Sequence, residues 1–290
     1  MNDPALQAER SFARHLADTA ASISAGWTSG NLGVRQKLDE TPVTDLDVAI
    51  ERALRAAVRE RFPRDAFLGE EDGLTPGGPR TWVVDPIDGT RNLIDGIQLW
   101  TTLIALVDED RPVLGLVDAP RVRERYEATT GGGATLNDTP IHVSSVTSLT
   151  DCLVLHSGVE EWMRGPYWHA FCSLAASARR TRGVSDAWGH MLVARGSADV
   201  LLEHEPCGPW DWSAVQVIVQ EAGGHLTTLE GNEPAAGCSL LSSNGPLHDA
   251  AVRELRASRA VADIESSDTL RRGTGIASVQ SLRWPDADGG

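Results

Sequence analysis

Cysteine is scarce: four in 290 residues, and Cys152, Cys172, Cys207 and Cys238 lie scattered with no metal-finger spacing. That argues against a zinc scaffold or a disulfide framework and leaves reduced thiols. Long apolar runs are missing too, and Met1 to Arg14 is polar and acidic where a signal peptide needs an apolar core. Positive charge is short, with 26 Lys and Arg against 41 Asp and Glu and a net charge of −15. The deficit argues against a nucleic-acid polymer or an anionic membrane as partner. It leaves room for a small anion, because bound cations would invert the local field. The expectation is a soluble, cytoplasmic protein. Its apolar content of 41% and charged content of 23% are ordinary for a globular chain, and 290 residues suffice for two domains.

What the chain does have is acid at the ends of apolar runs. Trp82-Val83-Val84 predicts a buried strand that stops at Asp85-Pro86, because proline donates nothing to a ladder. Asp85 and Asp88 then flank a proline-fixed turn, followed by Gly89 and Thr90. Such a turn either caps its own backbone amides or presents oxygen ligands of the kind hard divalent ions take. Two further stretches bear on the choice. Phe67-Leu68-Gly69 runs into Glu70-Glu71-Asp72, and Pro209-Trp210-Asp211-Trp212 puts an aspartate where a helix should begin. If four of these carboxylates meet at one point, they repel strongly unless cations neutralise them. A glycosidase pair would need only two.

The set Gly69-Glu70-Glu71, Asp85-Pro86-Ile87-Asp88-Gly89-Thr90 and Trp210-Asp211 followed by Glu221-Ala222-Gly223-Gly224 resembles the inositol-monophosphatase-like family of metal-dependent phosphomonoesterases. The likeness covers about residues 5–257. It implies an α+β / α/β fold, a layered αβαβα sandwich. It implies two or three Mg²⁺ ions per site, a small-molecule phosphate ester as substrate, and a homodimer. Glu70, Asp85 and the Ile87 carbonyl would hold one ion, and Asp85, Asp88 and Asp211 another. The Gly89 and Thr90 amides would bind phosphate, Glu71 with Thr90 would activate water, and Lys37 and Asp47 would support the site. A phospho-enzyme formed on Asp85 is the other conceivable route. By residue chemistry alone, Asp47 reads as a helix N-terminal charge and Asp211 as an ordinary cap.

Along the chain, residues 4–26 predict an amphipathic helix, and Thr44 caps a second that runs to Phe62 before Pro63. Strands at 99–107, 113–118 and 125–128 form a meander, and a hairpin at 134–143 turns at Asn137-Asp138. Ser144–Thr150 marks a boundary, giving an N-terminal α+β domain over 1–148 and an α/β domain over 149–258. The segment 259–290 predicts a flexible tail. Arg182-Gly183-Val184-Ser185-Asp186, followed by Ala187-Trp188-Gly189-His190, is similar to the histidinol-phosphate phosphatase branch. There an acidic residue faces the substrate amine; Asp186 either does this or caps the helix at Ala187. Arg182, Glu203 and Glu205 are the other substrate candidates, with the choice between the two glutamates open because their stretch is one residue longer than in the inositol phosphatases. An inositol, sugar or nucleotide phosphatase, or a non-catalytic metal- or phosphate-binding protein, are the competing readings.

Overall fold

The structure is a computed structural model that describes residues 6–27, 29–37 and 40–257, without the side chains at 29, 205 and 206. The tail expected at 259–290 lies outside the described residues. Two helices, α1 (Gln7–Ala25) and α2 (Asp45–Arg61), follow the expected periodicity. Thr44 caps α2: its hydroxyl accepts from the Leu46 and Asp47 amides, and Asp47 reaches back to the Thr44 amide. The small hairpin β1 (Arg35–Gln36) and β2 (Pro42–Val43) joins them.

Eight strands make the larger, mixed sheet: β3 (Ala66–Gly69), β4 (Gly73–Thr75), β5 (Arg80–Asp88), β6 (Thr101–Asp108), β7 (Arg111–Ala119), β8 (Glu124–Thr129), β9 (Gly133–Leu136) and β10 (Thr139–Ile141). Their spatial order is β10-β9-β8-β7-β6-β5-β3-β4. The expected hairpin turn holds, with Asn137 and Asp138 both at positive φ, as its two-residue loop requires. β6 is apolar from Leu103 to Val107 because both its faces are covered. Ile104 and Leu106 meet α1 and α2, while Leu103 and Ala105 meet the helices of the next layer.

The later part of the chain supplies α4 (Val159–Arg164), α5 (Trp168–Ser177), α6 (Asp186–Ala194), α7 (Pro209–Glu221) and a last helix over 248–257, here α8; α3 is the short Thr90–Asp95. Its strands β11 (Leu153–His156), β12 (Arg180–Gly183), β13 (Val200–Cys207), β14 (Gly224–Thr227) and β15 (Cys238–Asn244) form a sheet ordered β12-β11-β13-β15-β14. α6 and α7 fill the space between the two sheets, and α5 and α8 cover the far side of the smaller one. The layers are therefore αβαβα, as the motif resemblance implied. One apolar cluster takes Val83, Leu103 and Val117 from the larger sheet and Leu226 and Leu240 from the smaller, so the two halves share a core. All four cysteines are thiols. No helix among the described residues is long and apolar enough to cross a membrane.

Five elements differ from the expectation. β5 does not stop at Pro86: it continues to Asp88, with its register against β6 shifted between Asp85 and Asp88. The bulge leaves the proline nitrogen without a ladder role. Residues 182–186, expected as loop, include the end of edge strand β12. α7 begins at Pro209 after an N-cap at Gly208, so Asp211 stands in the first turn rather than at the helix start. Short helices α3 and α4 carry too few turns to show a period.

Candidate metal and phosphate site

β3 and β5 run parallel with Gly69 opposite Val84, so both chains leave the sheet at the same end. That is why Glu70 and Asp85, distant in sequence, meet. The Glu70 amide still donates to the Val84 carbonyl, 3.3 Å, so the acid is fixed as an extension of the ladder. The bulge then carries Asp88 round to the same side, and the Asp85 carboxylate accepts from the Ile87 amide at 2.8 Å. α7 brings Asp211 from the other half of the chain, its carboxylate held by the Gly208 amide at 2.6 Å. Asp85, Asp88 and Asp211 each place a carboxylate oxygen within 4.8 Å of the others. Asp88 is further fixed by the Thr101 hydroxyl at 3.0 Å and the Ala187 amide at 2.8 Å.

Electrostatics follow from that crowding. Burial, then the neighbouring charges of Glu70 and Asp88, push the Asp85 carboxyl well above the usual range. Burial followed by Asp186 does the same for Asp88, and burial followed by Glu70 for Asp211. Carboxylates held this close want a multivalent counter-ion, and an all-oxygen donor set suits a hard divalent cation. The residues present therefore fit a metal. Glu70, Asp85, Ile87, Asp88 and Asp211 all line one cavity, about 380 Å³ in volume.

Lys37, the sole lysine of the chain, lies against the acids of the β3 end, with Nζ 2.6 Å from Glu70 and 3.0 Å from Glu71. Glu71 is nonetheless pushed up to about 7, because burial and the Glu70 charge outweigh the ammonium. Asp47, on the first turn of α2, is fully buried and shared between the Thr44 amide and the site: the Thr90 hydroxyl lies 3.2 Å from Asp47 and 2.9 Å from the Ile87 carbonyl. Gly89, at φ +84, starts α3 with Thr90 next to it. A Cβ at Gly89 would lie 3.2 Å from the Asp186 carboxylate and 3.3 Å from the Leu99 carbonyl, so backbone and substrate wall meet there without a side chain between.

The substrate candidates separate. Asp186 lines the cavity at φ +57, its carboxylate accepting from the Asn92 side-chain amide at 2.9 Å. It does not cap its helix: Ser185 is the N-cap residue, and the Ala187 amide goes to Asp88 instead. Glu203 lines the cavity too, with one oxygen on the Asp186 amide at 3.1 Å and the other on His190 at 2.9 Å. On β13 the register against β15 shifts between Glu203 and Cys207, within the stretch read as one residue longer. The side chain of Glu205 lies outside the described residues. Arg182 is corrected: it is exposed on edge strand β12, bonds the Thr181 carbonyl, and is not among the cavity's lining residues.

Glu51 escaped sequence reasoning. It is fully buried on α2 and accepts from the Glu71 amide at 2.7 Å, the Asp72 amide at 2.9 Å and the Arg55 guanidinium. Its signal was positional: it falls one helical turn after Asp47 and beside Ile50 and Leu54 on the inward stripe. A Cβ on Gly69 would lie 2.3 Å from its carboxyl carbon, so glycine there is what admits the carboxylate. Glu51→Ala is expected to cost about 2–4 kcal/mol in urea denaturation, because two loop amides and Arg55 lose a buried partner. An unchanged midpoint would show that the loop does not depend on it. Glu160 and Glu161 of α4 also line the cavity and were missed, since α4 itself was.

Layered fold, convergent acids and a glycine-led short helix beside them define a metal-dependent phosphate-ester site. The comparisons agree. Residues 5–262 match the inositol monophosphatase family. A histidinol-phosphatase of Streptomyces coelicolor is 38% identical, over 82% of this chain and 93% of its own. One of Mycobacterium tuberculosis is 37% identical, over 78% and 89%. Among solved structures, an IMPase of Thermotoga maritima superposes with a TM-score of 0.80 at 28% identity, covering 88% of this chain and all of the other. The chain belongs to the inositol monophosphatase family, and with it to the phosphoric monoester hydrolases.

Proposed function

We propose that the chain hydrolyses histidinol phosphate to the alcohol and inorganic phosphate. The observation that carries this reading is the acidic wall. Asp186 and Glu203 line the same cavity as Gly89 and Thr90, so an ester whose phosphate sits on those amides brings its ammonium to carboxylates. The relatives named histidinol-phosphatase support the same choice.

In this reading the Gly89 and Thr90 amides orient the phosphate oxygens at the start of α3, where a helix leaves amides unpaired. Glu71 takes the proton from the attacking water, and a carboxyl near 7 is matched to that task at neutral pH. The Thr90 hydroxyl holds the water in line, its own proton accepted by Asp47 or by the Ile87 carbonyl. Glu70, Asp85, the Ile87 carbonyl, Asp88 and Asp211 would hold two or three Mg²⁺ ions, which would supply positive charge against the carboxylates and the developing negative charge at phosphorus. The same reading includes a cytoplasmic homodimer; light scattering on the purified chain tests the dimer.

The deciding experiment measures phosphate release with Mg²⁺ from histidinol phosphate, inositol 1-phosphate and adenosine 3′,5′-bisphosphate. Histidinol phosphate is expected to give the highest kcat/KM, by about tenfold or more, as one charge-assisted contact implies. Preference for either of the others would replace this reading with that of an inositol or nucleotide phosphatase.

A further inference from the structure

We infer that His190 is a positioning residue for the recognition of a cationic phosphate ester: it holds Glu203, and through Glu203 the turn at Asp186, so that both carboxylates face the substrate. The inference rests on the reading of the substrate given above. His190 lies one turn into α6 and is 1% exposed. Its ring spans the smaller sheet from inside, Nδ1 2.5 Å from the Ser242 hydroxyl on β15 and Nε2 2.9 Å from the Glu203 carboxylate on β13. In the tautomer whose Nε2–H donates to Glu203, Nδ1 accepts from the Ser242 hydroxyl.

Glu203 spends its second oxygen on the Asp186 amide. That bond matters because Asp186 is a non-glycine residue at φ +57, a conformation that persists only where its surroundings fix it. The Asp186 carboxylate is fixed from the opposite side by Asn92. Ser242, His190, Glu203 and Asp186 thus form one hydrogen-bonded line from the buried interior of the smaller sheet to the substrate wall. Both ring nitrogens of His190 are used on Ser242 and Glu203, one step removed from the acids that gather at Asp85. Without the imidazole, a Glu203 oxygen at a position only 8% exposed loses its donor. The carboxylate then turns away to find another donor, and the Asp186 turn loses its restraint. An ester bearing an ammonium loses its partner; an ester of an uncharged alcohol loses little.

Steady-state kinetics of His190→Phe with Mg²⁺, on histidinol phosphate and on inositol 1-phosphate, tests this. The expected result is a rise in KM for histidinol phosphate of about tenfold or more, with kcat and the KM for inositol 1-phosphate changed by less than about threefold. His190→Gln, which can still donate to Glu203, is expected to recover part of the loss. The double variant with Glu203→Gln should be no worse than the poorer single one, since both break the same line. If His190→Phe does not fold, judged by circular dichroism, Ser242→Ala loosens the ring from its other end and should show the same split at about threefold. Equal changes for the two esters, a loss confined to kcat, or an additive double variant would overturn the role of His190. A wild-type chain that turns over inositol 1-phosphate but not histidinol phosphate overturns the substrate reading instead.

Discussion

Asp88→Asn is expected to lower kcat by about 10³-fold or more at saturating Mg²⁺ while leaving the fold intact. Asparagine preserves part of what Asp88 does. One oxygen of Asp88 accepts from the Thr101 hydroxyl and the Ala187 amide, and an asparagine carbonyl oxygen can take both. The amide group then replaces the other oxygen, the one left for the cluster with Asp85 and Asp211. One ligand and one negative charge are lost with no change of volume. Charge stabilisation by a bound ion supplies several kcal/mol at the transition state, and each 1.4 kcal/mol is tenfold in rate. Stability should move the opposite way. In chelator the variant should melt above the wild type, because one of three mutually repelling buried carboxyls is gone. Phosphate release and thermal melts on the same preparation check both halves. Activity within about tenfold of wild type would show that Asp88 holds no essential ion.

Much of this was legible because the signals were local. Thr44 before Asp47 is a cap whose chemistry needs no tertiary context, and it forms as expected. The three acidic motifs end two strands and open a helix, so any fold that brings those ends together gathers the acids. Where reasoning went astray, a local rule was overridden from outside. Pro86 should have ended β5, but a bulge opposite β6 gives its missing N–H a place where none is needed. Asp211 was expected at the helix start, yet Pro209 opens α7 and Gly208 precedes it as the cap, leaving Asp211 to reach back from the first turn. Arg182 sits beside the Asp186 motif but on an edge strand with no buried residue, exposed and outside the cavity lining. Glu51 and His190 were invisible for another reason. A glutamate on an amphipathic helix and a histidine on an apolar one read as surface and core residues, and only their partners, Glu71's amide and Glu203's carboxylate, give them roles.

The second large effect concerns pH and metal together. In chelator, the protein is expected to melt lower at pH 8 than at pH 5, and Mg²⁺ is expected to restore most of the difference. Glu71 sets the sign. Its carboxyl moves from 4.5 to about 7 on folding, so the folded chain binds this proton more tightly than the unfolded chain does. Its cost is absent below about pH 4.5, grows as pH rises towards 7, and is constant above that. Asp85, Asp88 and Asp211 are raised for the same reasons and act in the same direction. Lys37, also raised, contributes stability that is lost only in strongly alkaline solution, so it stays constant across this range. The lowered carboxyls of Glu124 and Asp138 have delivered nearly all their stabilisation by pH 5. Glu71 alone, discounted because solvent screens a carboxyl that is only about half buried, accounts for about 1–2 kcal/mol between pH 5 and pH 8, or roughly 2–8 °C in Tm for a chain of this size. A divalent ion binds the ionised cluster and stabilises the folded state by mass action, so its effect should be large at pH 8 and small at pH 5. Calorimetry at pH 5, 6, 7 and 8, with EDTA and with Mg²⁺, measures it without any substrate. A metal-free melting point that rises from pH 5 to pH 8 would mean that the acids are already satisfied by the protein alone, and that the crowding at Asp85 needs no cation to hold it.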